Sequence, residues 1–318
     1  MTIILVKMRA IVTGGAGFIG SHLVDHLVQK GDEVVVIDSL QTTSPVAIDR
    51  HIQAGNISFV QANLLSDTWQ KEFLGADRVY HLAADPDVRE SALHPDNQLN
   101  NTIVATHRVL EAMRTNQVRE IIFTSTSTVY GEATIIPTPE SYTPMEPVSV
   151  YGAAKLACEA LISAYCHSFG MQSWIYRFAN IVGPRSGHGV ITDFIKKLSF
   201  NPKELEILGD GRQTKSYLDV TACVCAMMFG IHHANKKVNY LNIGSEDWID
   251  VTTIANIIVE EMGLSEVTYK YTGGTRGWIG DVPKMQLSIE TMKSLGWTPD
   301  ISSEESIRVA VQSLLTDA

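Results

Sequence analysis

The sequence has few cysteines and no long apolar run. Four cysteines are present, none of them in a C-x-x-C pair and none beside a histidine cluster that would complete a zinc set. Cysteine use of this kind is typical of a reducing compartment, so we expect buried thiols and a cytoplasmic protein. No apolar stretch reaches the ~18 residues of a membrane-spanning helix, and no membrane span is expected.

A secretory signal is also missing from the start of the chain. Lys7 and Arg9 interrupt the first apolar stretch, and cleavage near Gly14 would destroy the best motif in the sequence. No signal peptide is therefore predicted. Met1 and Met8 are both candidate starts.

Basic residues are outnumbered, with 25 Lys and Arg against 35 Asp and Glu and a net charge of −10. A surface of this sign repels phosphate backbones and anionic membranes, so neither nucleic acid nor membrane is an expected partner. The chain has 318 residues, 45 % of them apolar, which is enough for one large or two modest domains with a sizeable core.

Short apolar runs alternate with helical periods in the first half of the chain. Strands are predicted at Arg9–Thr13, Val34–Asp38, Ile57–Val60, Arg78–Ala83, Glu120–Thr126 and Ser173–Phe178. Helices are predicted at Ser21–Gln29, Asp67–Leu74, Asp96–Thr115 and Tyr151–Phe169. This alternation predicts an α/β fold with a Rossmann-type, doubly wound parallel sheet.

The rhythm changes after Phe178, where glycine and proline crowd a loop. We expect a smaller C-terminal α/β domain from this point. The predicted division gives residues 1–178 and 213–235 to the first domain, and 179–212 and 236–318 to the second.

A glycine-rich turn links the first strand to the first helix. In Thr13-Gly14-Gly15-Ala16-Gly17-Phe18-Ile19-Gly20, the first glycine allows a tight turn, the second lets a pyrophosphate approach, and the third lets helix and strand pack closely. The helix N-terminus then offers free N–H groups to the phosphates. Asp38 ends the second strand and suits the adenosine ribose hydroxyls. It would repel a 2′-phosphate, so the predicted cofactor is NAD and not NADP.

Tyr151 and Lys155 lie four residues apart on one face of a predicted helix. Thr126 belongs to a run of hydroxyl residues at the carboxyl end of a predicted strand, the edge at which open α/β sheets bind ligands. A tyrosine accepts a hydroxyl proton at neutral pH only if its pKa falls from about 10 towards 7, which requires about 4 kcal/mol of favourable interaction with the phenolate. A lysine ammonium and a positive nicotinamide ring both supply such interaction.

The chain resembles the extended short-chain dehydrogenase/reductase family and, within it, the UDP-glucose (UDP-galactose) 4-epimerases. The resemblance covers nearly the whole chain. It rests on the glycine-rich turn, Asp38, His81-Leu82-Ala83-Ala84, Asn100-Asn101, Thr126 to Gly131, Tyr151 to Lys155, Arg177-Phe178-Ala179-Asn180 and Gly209-Asp210-Gly211.

The resemblance implies a role for each matching residue. Its catalytic residues fall on Thr126, Tyr151 and Lys155. Its NAD-binding residues fall on Gly14, Gly17, Phe18, Ile19, Gly20, Asp38, Asn63, Leu64, Leu82, Ala83, Ala84, Asn100, Tyr151 and Lys155. Its nucleotide-sugar contacts fall on Thr126, Asn180, Val190, Ile191, Lys215, Arg276 and Asp281. The second domain would then bind the substrate, a UDP-hexose.

The residues after Thr126 distinguish branches of the family. Related 4,6-dehydratases carry Asp-Glu at this point and UDP-glucuronate decarboxylases carry Ser-Glu, whereas this chain carries Ser127-Thr128. The resemblance therefore implies an epimerase that passes through a transient 4-keto sugar. The alternatives are another sugar-nucleotide enzyme of the family (a dehydratase, decarboxylase or reductase) and a non-catalytic NAD-binding protein.

Two expectations concern assembly and metals. Apolar residues lie nearly all round the predicted helix 151–169, and helix 96–115 adds a partly apolar surface through Leu99, Ile103, Leu110 and Met113. This pattern predicts a homodimer through both helices, with folding of the second domain over this face as the alternative. The histidine pairs His22/His26 and His232-His233 lack an evident carboxylate partner, so no metal is expected.

Overall fold

The protein folds around a large parallel sheet. A computed structural model describes residues 7–278 and 280–316, so the first six residues, where part of the signal-peptide prediction falls, lie outside the described range. The strands, in chain order, are β1 (Arg9–Thr13), β2 (Glu33–Asp38), β3 (Ile57–Gln61), β4 (Arg78–His81), β5 (Glu120–Thr126), β6 (Gln172–Phe178), β7 (Asn180–Val182), β8 (Glu204–Ile207), β9 (Thr214–Lys215), β10 (Tyr217–Asp219), β11 (Val238–Ile243), β12 (Ile249–Asp250), β13 (Thr268–Tyr271) and β14 (Lys284–Met285).

Helices flank the sheet and fill the second half of the chain. In chain order they are α1 (Phe18–Lys30), α2 (Asp49–Gln53), α3 (Pro95–Gln98), α4 (Ala105–Thr115), α5 (Val150–Phe169), α6 (Val190–Phe200), α7 (Val220–His233), α8 (Val251–Glu261), α9 (Glu290–Leu295) and α10 (Ser303–Thr316). Among the described residues, no helix combines the length and apolarity needed to cross a bilayer.

Seven parallel strands form the large sheet in the order β11-β6-β5-β4-β1-β2-β3. The strand order reverses between β1 and β4, so the carboxyl ends of these strands border a crevice of the kind that binds ligands in open α/β sheets. Two apolar cores cover the two faces of the sheet. The predicted doubly wound sheet is confirmed, and β1 and β5 have the predicted bounds.

The predicted helix over Asp67–Leu74 is wrong. The segment contains only one 3₁₀ turn, Gln70–Phe73. Trp69 and Phe73 are fully buried while Leu74 is exposed. The two aromatic side chains therefore anchor an irregular loop to the core, and the apolar residues do not form one face of a helix. The polar residues that precede Trp69 favour turns over helix interiors.

A third apolar core belongs to the second half of the chain, where α6, α8 and α10 pack together. Two strands pair with the other part of the molecule from the one that the predicted domain boundaries assign them to. Val238–Ile243, assigned to the second domain, is the edge strand of the large sheet because it pairs with β6. Thr214–Lys215, assigned to the first domain, pairs with β12 and β14 of the second. The chain crosses between the two parts more often than its composition indicates.

Candidate active site

The glycine-rich turn follows β1 and leads into α1. Gly14 has a φ of +73°, and a Cβ atom there would lie 2.6 Å from the backbone nitrogen of Ala83, so a side chain does not fit. A Cβ atom on Gly20 would lie 2.1 Å from the carbonyl oxygen of Gly14. Gly17 is the N-cap of α1, and no described side chain caps this helix, which leaves the first-turn N–H groups of Phe18 and Ile19 available to an anion.

Asp38 faces this turn from the end of β2. Its carboxylate is 8 % exposed and accepts hydrogen bonds from the backbone N–H of Ala16 (3.0 Å) and of Leu40 (2.9 Å). These bonds fix the carboxylate and leave it lone pairs for the hydroxyls of a ribose. The arrangement fits a dinucleotide, with its pyrophosphate on α1 and its adenosine at β2.

The other predicted cofactor residues follow the neighbouring strands. The carboxamide oxygen of Asn63 accepts from the N–H of Leu65 at 2.8 Å, and the Leu64 side chain is 7 % exposed in the core. Asn63 therefore keeps one lone pair of its oxygen and its amide N–H groups for an adenine, whereas Leu64 could offer only its backbone. Leu82, Ala83 and Ala84 follow β4 beside Gly14, and Asn100 is exposed in a π-helical turn, Leu99–Val104, that packs against α5.

His81 holds these strand ends in place. It is buried, and its ring nitrogens lie 2.7 Å from Thr13 Oγ1 and 2.9 Å from Thr106 Oγ1. Burial, helped by the nearby ammonium of Lys155, lowers the pKa of His81 to about 3. The ring therefore stays neutral at physiological pH and serves to join β1, β4 and α4.

Thr126, Tyr151 and Lys155 converge beside the same crevice. Thr126 ends β5, and Ser149 caps α5 by accepting the N–H of Gly152 at 3.1 Å, which places Tyr151 in the first helical turn. The side chain of Thr126, whose Oγ1 lies 3.1 Å from Thr128 Oγ1, is close enough to the Tyr151 phenol to lower its pKa. One turn further along α5, the Lys155 ammonium donates to the carbonyl oxygen of Thr124 at 2.8 Å and lies 6.0 Å from the centre of the Tyr151 ring.

Burial shifts the pKa values of Tyr151 and Lys155 in opposite directions. It raises the pKa of Tyr151 to about 12, against the lowering effect of the nearby Thr126 side chain, and the Asp85 carboxylate raises it further. Burial lowers the pKa of Lys155, 3 % exposed, to about 8. At neutral pH the lysine is charged and the tyrosine protonated. Lowering the pKa of this phenol from about 12 to 7 requires roughly 7 kcal/mol of favourable interaction with the phenolate. This exceeds the ~4 kcal/mol expected from the sequence because the phenol is desolvated.

Four of the predicted substrate residues lie together in the second domain. Asn180 donates its N–H to the carbonyl of Ser216, next to Lys215, and its buried side-chain nitrogen finds no partner among the described residues. The Lys215 ammonium lies 2.7 Å from Asp281 Oδ1, and Arg276 donates to the Asp281 carbonyl at 3.0 Å. This group offers two cations and a free amide donor to an anion.

Val190 and Ile191 begin α6, as predicted, but their side chains differ in role. The Ile191 side chain is 4 % exposed and packs with Phe194 and Leu198 in the core of the second domain. It therefore cannot line a uridine site, for which only the backbone at this helix start and the half-buried Val190 remain.

Sequence reasoning missed three residues around the Arg276 loop. The Trp278 ring lies 5.2 Å from the Arg89 guanidinium and 5.3 Å from the Lys215 ammonium, and Glu132 forms an ion pair with Arg276. A tryptophan within a glycine-rich loop that also carries an arginine was the available signal. Within residues 7–278 and 280–316, no group of three or more His, Cys, Asp or Glu side chains is arranged to hold a metal ion.

Comparison with known proteins agrees with this geometry. Residues 10–244 match the model of the NAD dependent epimerase/dehydratase family. A putative UDP-glucose 4-epimerase of Methanocaldococcus jannaschii is 32 % identical over 95 % of this chain and 96 % of its own length. A crystal structure of a UDP-galactose 4-epimerase is 40 % identical with a TM-score of 0.87, covering 98 % of this chain and 99 % of that one.

The substrates of similar structures vary. The UDP-glucuronic acid 4-epimerase of Bacillus cereus, solved with UDP-glucuronic acid and NAD, is 27 % identical with a TM-score of 0.88 over 98 % of this chain and 100 % of its own. NAD is the cofactor of this family, and the turn at Gly14 and the carboxylate of Asp38 fit it. The chain is an extended short-chain dehydrogenase/reductase and belongs to the NAD dependent epimerase/dehydratase family.

Proposed function

We propose that this protein is an NAD-dependent 4-epimerase of UDP-sugars that interconverts UDP-glucose and UDP-galactose, an activity of galactose metabolism. The observation that carries the proposal is the meeting of Thr126, Tyr151 and Lys155 beside the crevice. The two residues that follow Thr126, Ser127 and Thr128, carry hydroxyls and no carboxylate. An epimerase needs one reversible proton carrier, whereas elimination of water or decarboxylation needs further acid–base groups.

Each of the three side chains has a separate task in this reaction. Tyr151 removes the proton of the sugar 4-hydroxyl and later returns it, because its phenol is the titratable group beside Thr126 at the crevice. Thr126 orients that hydroxyl, and Lys155 supplies the fixed positive charge that favours the phenolate. When bound, NAD supplies the hydride acceptor and donor for C4 of the sugar. Inversion at C4 would require the keto sugar to turn its opposite face to the cofactor before the C4–H bond forms again and Tyr151 returns the proton to oxygen.

The substrate's diphosphate is assigned to the cluster in the second domain. Asn180 offers its free amide donor, and Lys215 and Arg276 offer positive charge. Because Lys215 is already paired with Asp281, a diphosphate has to compete for this ammonium. We infer that Asp281 then turns to a ribose hydroxyl, which keeps its buried carboxylate hydrogen-bonded.

UDP-glucuronate is the second candidate substrate, because a similar structure of the family holds it. The same three residues would perform the same chemistry at C4, so the two candidates differ only in the group at C6. A 4,6-dehydratase, a decarboxylase and a reductase would each leave a product that differs from a C4 epimer in mass.

Incubation of the purified protein with UDP-glucose, UDP-galactose, UDP-N-acetylglucosamine and UDP-glucuronate tests the proposal. We expect the first two to reach the same equilibrium mixture, seen by NMR of the anomeric and C4 protons. Tyr151→Phe should lower kcat by 10²- to 10⁴-fold. The matched control is Tyr269→Phe on β13, whose hydroxyl donates to Asn256, and it should leave kcat unchanged. A product of different mass, or turnover of UDP-glucuronate alone, would overturn the assignment.

We also propose a homodimer in the cytoplasm. The outer side of α5 carries a stripe of exposed or half-buried alanines, Ala153, Ala157, Ala160 and Ala164, and α5 packs mainly on elements of the first domain. Of the four apolar residues expected on helix 96–115, Leu110 and Met113 are buried in the core, whereas Leu99 is exposed and Ile103 is half-buried. The apolar surface that this helix offers a partner is therefore smaller than predicted. The four cysteines are free thiols, which suits a reducing compartment. Light scattering should give twice 35.0 kDa; a fully active monomer would refute the dimer.

A further inference from the structure

A buried ion pair lies directly behind the catalytic residues. Glu159 of α5 and Arg177 of β6 are each 2 % exposed. Arg177 donates to both carboxylate oxygens of Glu159, from Nη2 at 2.6 Å and from Nε at 3.0 and 3.2 Å. The proposed reaction uses neither residue as a proton carrier, and neither is among the predicted site residues.

The pair also holds both ends of the segment that carries Thr126. At one end, the hydroxyl of Ser125, adjacent to Thr126, donates to Glu159. At the other end, the second arm of Arg177 donates to the hydroxyl of Tyr130 at 2.9 Å. Tyr130 closes the 3₁₀ turn Ser127–Tyr130 that follows Thr126. The segment is thus anchored before and after the catalytic threonine.

On the helix side, Glu159 is one turn beyond Lys155 and two turns beyond Tyr151 on the same helix. A helix is stiff over this length, so a residue that fixes Glu159 also fixes the two catalytic groups relative to it. The ion pair therefore joins the two elements that must present Thr126 and Tyr151 to one hydroxyl group.

Two aromatic rings and a carbonyl oxygen constrain Arg177 further. Its guanidinium lies 4.9 Å from the Tyr130 ring and 4.8 Å from the Tyr240 ring, and its second arm also donates to the Glu140 carbonyl at 3.1 Å. Tyr130 in turn donates to Asn242 Oδ1 at 2.8 Å. The network reaches the neighbouring strand β11, which gives the guanidinium one permitted orientation.

Stability alone does not account for such a pair. Burying two charges costs desolvation that their attraction barely repays, and well-packed apolar residues often serve stability as well or better. A fully satisfied buried network does, however, enforce one geometry. Catalysis needs this, since a displacement of about 1 Å between reacting groups slows a reaction roughly a hundredfold.

We propose that Glu159 and Arg177 are positioning residues that hold the Thr126 segment against the Tyr151–Lys155 helix. The inference rests on the proposed proton transfer at Tyr151. Loss of either partner should slow the chemical step while leaving the binding of NAD and of nucleotide sugar in place, because neither residue is among those assigned to a ligand.

The test compares Glu159→Gln, Arg177→Met and the double variant Glu159→Met/Arg177→Met with the wild-type holoenzyme. The matched control is Glu120→Gln, which breaks the Arg78–Glu120 ion pair at the opposite end of β5. We expect kcat to fall 10- to 100-fold in the three test variants, with KM for UDP-galactose within threefold and NAD content unchanged. With C4-deuterated substrate, the isotope effect on kcat should rise, because hydrogen transfer then limits the rate. The control should keep wild-type kcat and isotope effect.

The double variant separates positioning from stability. Two apolar residues in place of the pair should return the melting temperature most of the way to the wild-type value, while kcat remains low. Wild-type kcat in any folded test variant, or an equal loss in Glu120→Gln, would overturn the proposal.

A crystal structure of the double variant decides the matter without any substrate. We expect the Thr126 hydroxyl to have moved away from the Tyr151 phenol, and an unchanged separation of the two groups would refute the positioning role. If the wild-type enzyme epimerises no sugar, the proposed function fails by that result alone, and this structure still decides whether the pair sets the geometry.

Discussion

Replacing Lys155 by methionine should remove activity and at the same time stabilise the NAD-free protein at neutral pH. The ammonium is buried, and its pKa in the folded protein is about 8, against an ordinary value of 10.5. Below pH 8 the folded protein carries a charge that the unfolded chain holds at lower cost. The difference between the two pKa values corresponds to about 3 kcal/mol of stability that the charge removes.

The sign of the pH dependence follows from proton binding. Between pH 8 and 10.5 the unfolded chain binds the Lys155 proton more tightly than the folded protein does, so wild-type stability rises with pH in this range. From pH 7 to 9.5 the rise is about 2 kcal/mol. Methionine carries no proton, so the stability advantage of Lys155→Met over the wild type should shrink by that amount over the same interval.

Urea unfolding of the NAD-free proteins at pH 7.0 and 9.5 measures this. Comparing the change with pH removes the constant loss of the hydrogen bond to Thr124 and of the ammonium's contact with the Phe123 ring. Lys71→Met, at an exposed lysine, is the matched control and should show no such change. If the difference in unfolding free energy between Lys155→Met and the wild type is the same at both pH values, burial does not lower the pKa of Lys155 as described.

Three further predictions concern the cofactor and the proton carrier. Tyr151→Phe should lower kcat by 10²- to 10⁴-fold, the usual worth of a proton carrier, with NAD content unchanged when measured by absorbance of the denatured enzyme; loss of NAD instead would contradict its assigned role. Gly14→Ala should lower the melting temperature and the NAD content, because the added Cβ atom would lie 2.6 Å from backbone. Gly31→Ala is the control: Gly31 also has a positive φ, but a Cβ atom there meets nothing within 4 Å among the described residues. The control therefore measures the backbone strain without the clash. Asp38→Asn should weaken NAD binding and narrow the preference over NADP in calorimetric titrations, and an unchanged ratio of the two affinities would contradict the repulsion argument.

Sequence pattern predicts the large sheet well because its signal is local. β5 contains the apolar run Ile121–Phe123 followed by hydroxyl residues up to Thr126, and α5 begins directly after Ser149, whose side chain caps it. The glycine-rich turn and Asp38 also follow from spacing, since each depends on one strand end and the turn beside it. For the same reason the meeting of Thr126 and Tyr151 could be expected from the order of the strands.

Features that depend on distant segments could not be read from the sequence. The pairing of Val238–Ile243 with β6 joins residues more than 60 positions apart, and nothing in the strand itself identifies its neighbour. Ile191 lies at the start of α6, and only the packing of α6 with α8 and α10 shows that its side chain belongs to the core and not to a binding site. Arg177 is recognisable in the sequence as a charged residue next to the apolar side chains of β6, which indicates a buried partner. That this partner is Glu159 follows only from the fold.

The hydrogen at C4 of the sugar shows directly whether epimerisation proceeds by removal and return of a hydride. Purified enzyme is incubated with UDP-glucose deuterated at C4 in ordinary water, and the UDP-galactose formed is examined by NMR and mass spectrometry. If Tyr151 moves only the hydroxyl proton while the C4 hydride leaves and returns within one active site, the product keeps the deuterium at C4. UDP-galactose carrying a solvent proton at C4, or no UDP-galactose at all, would contradict this account.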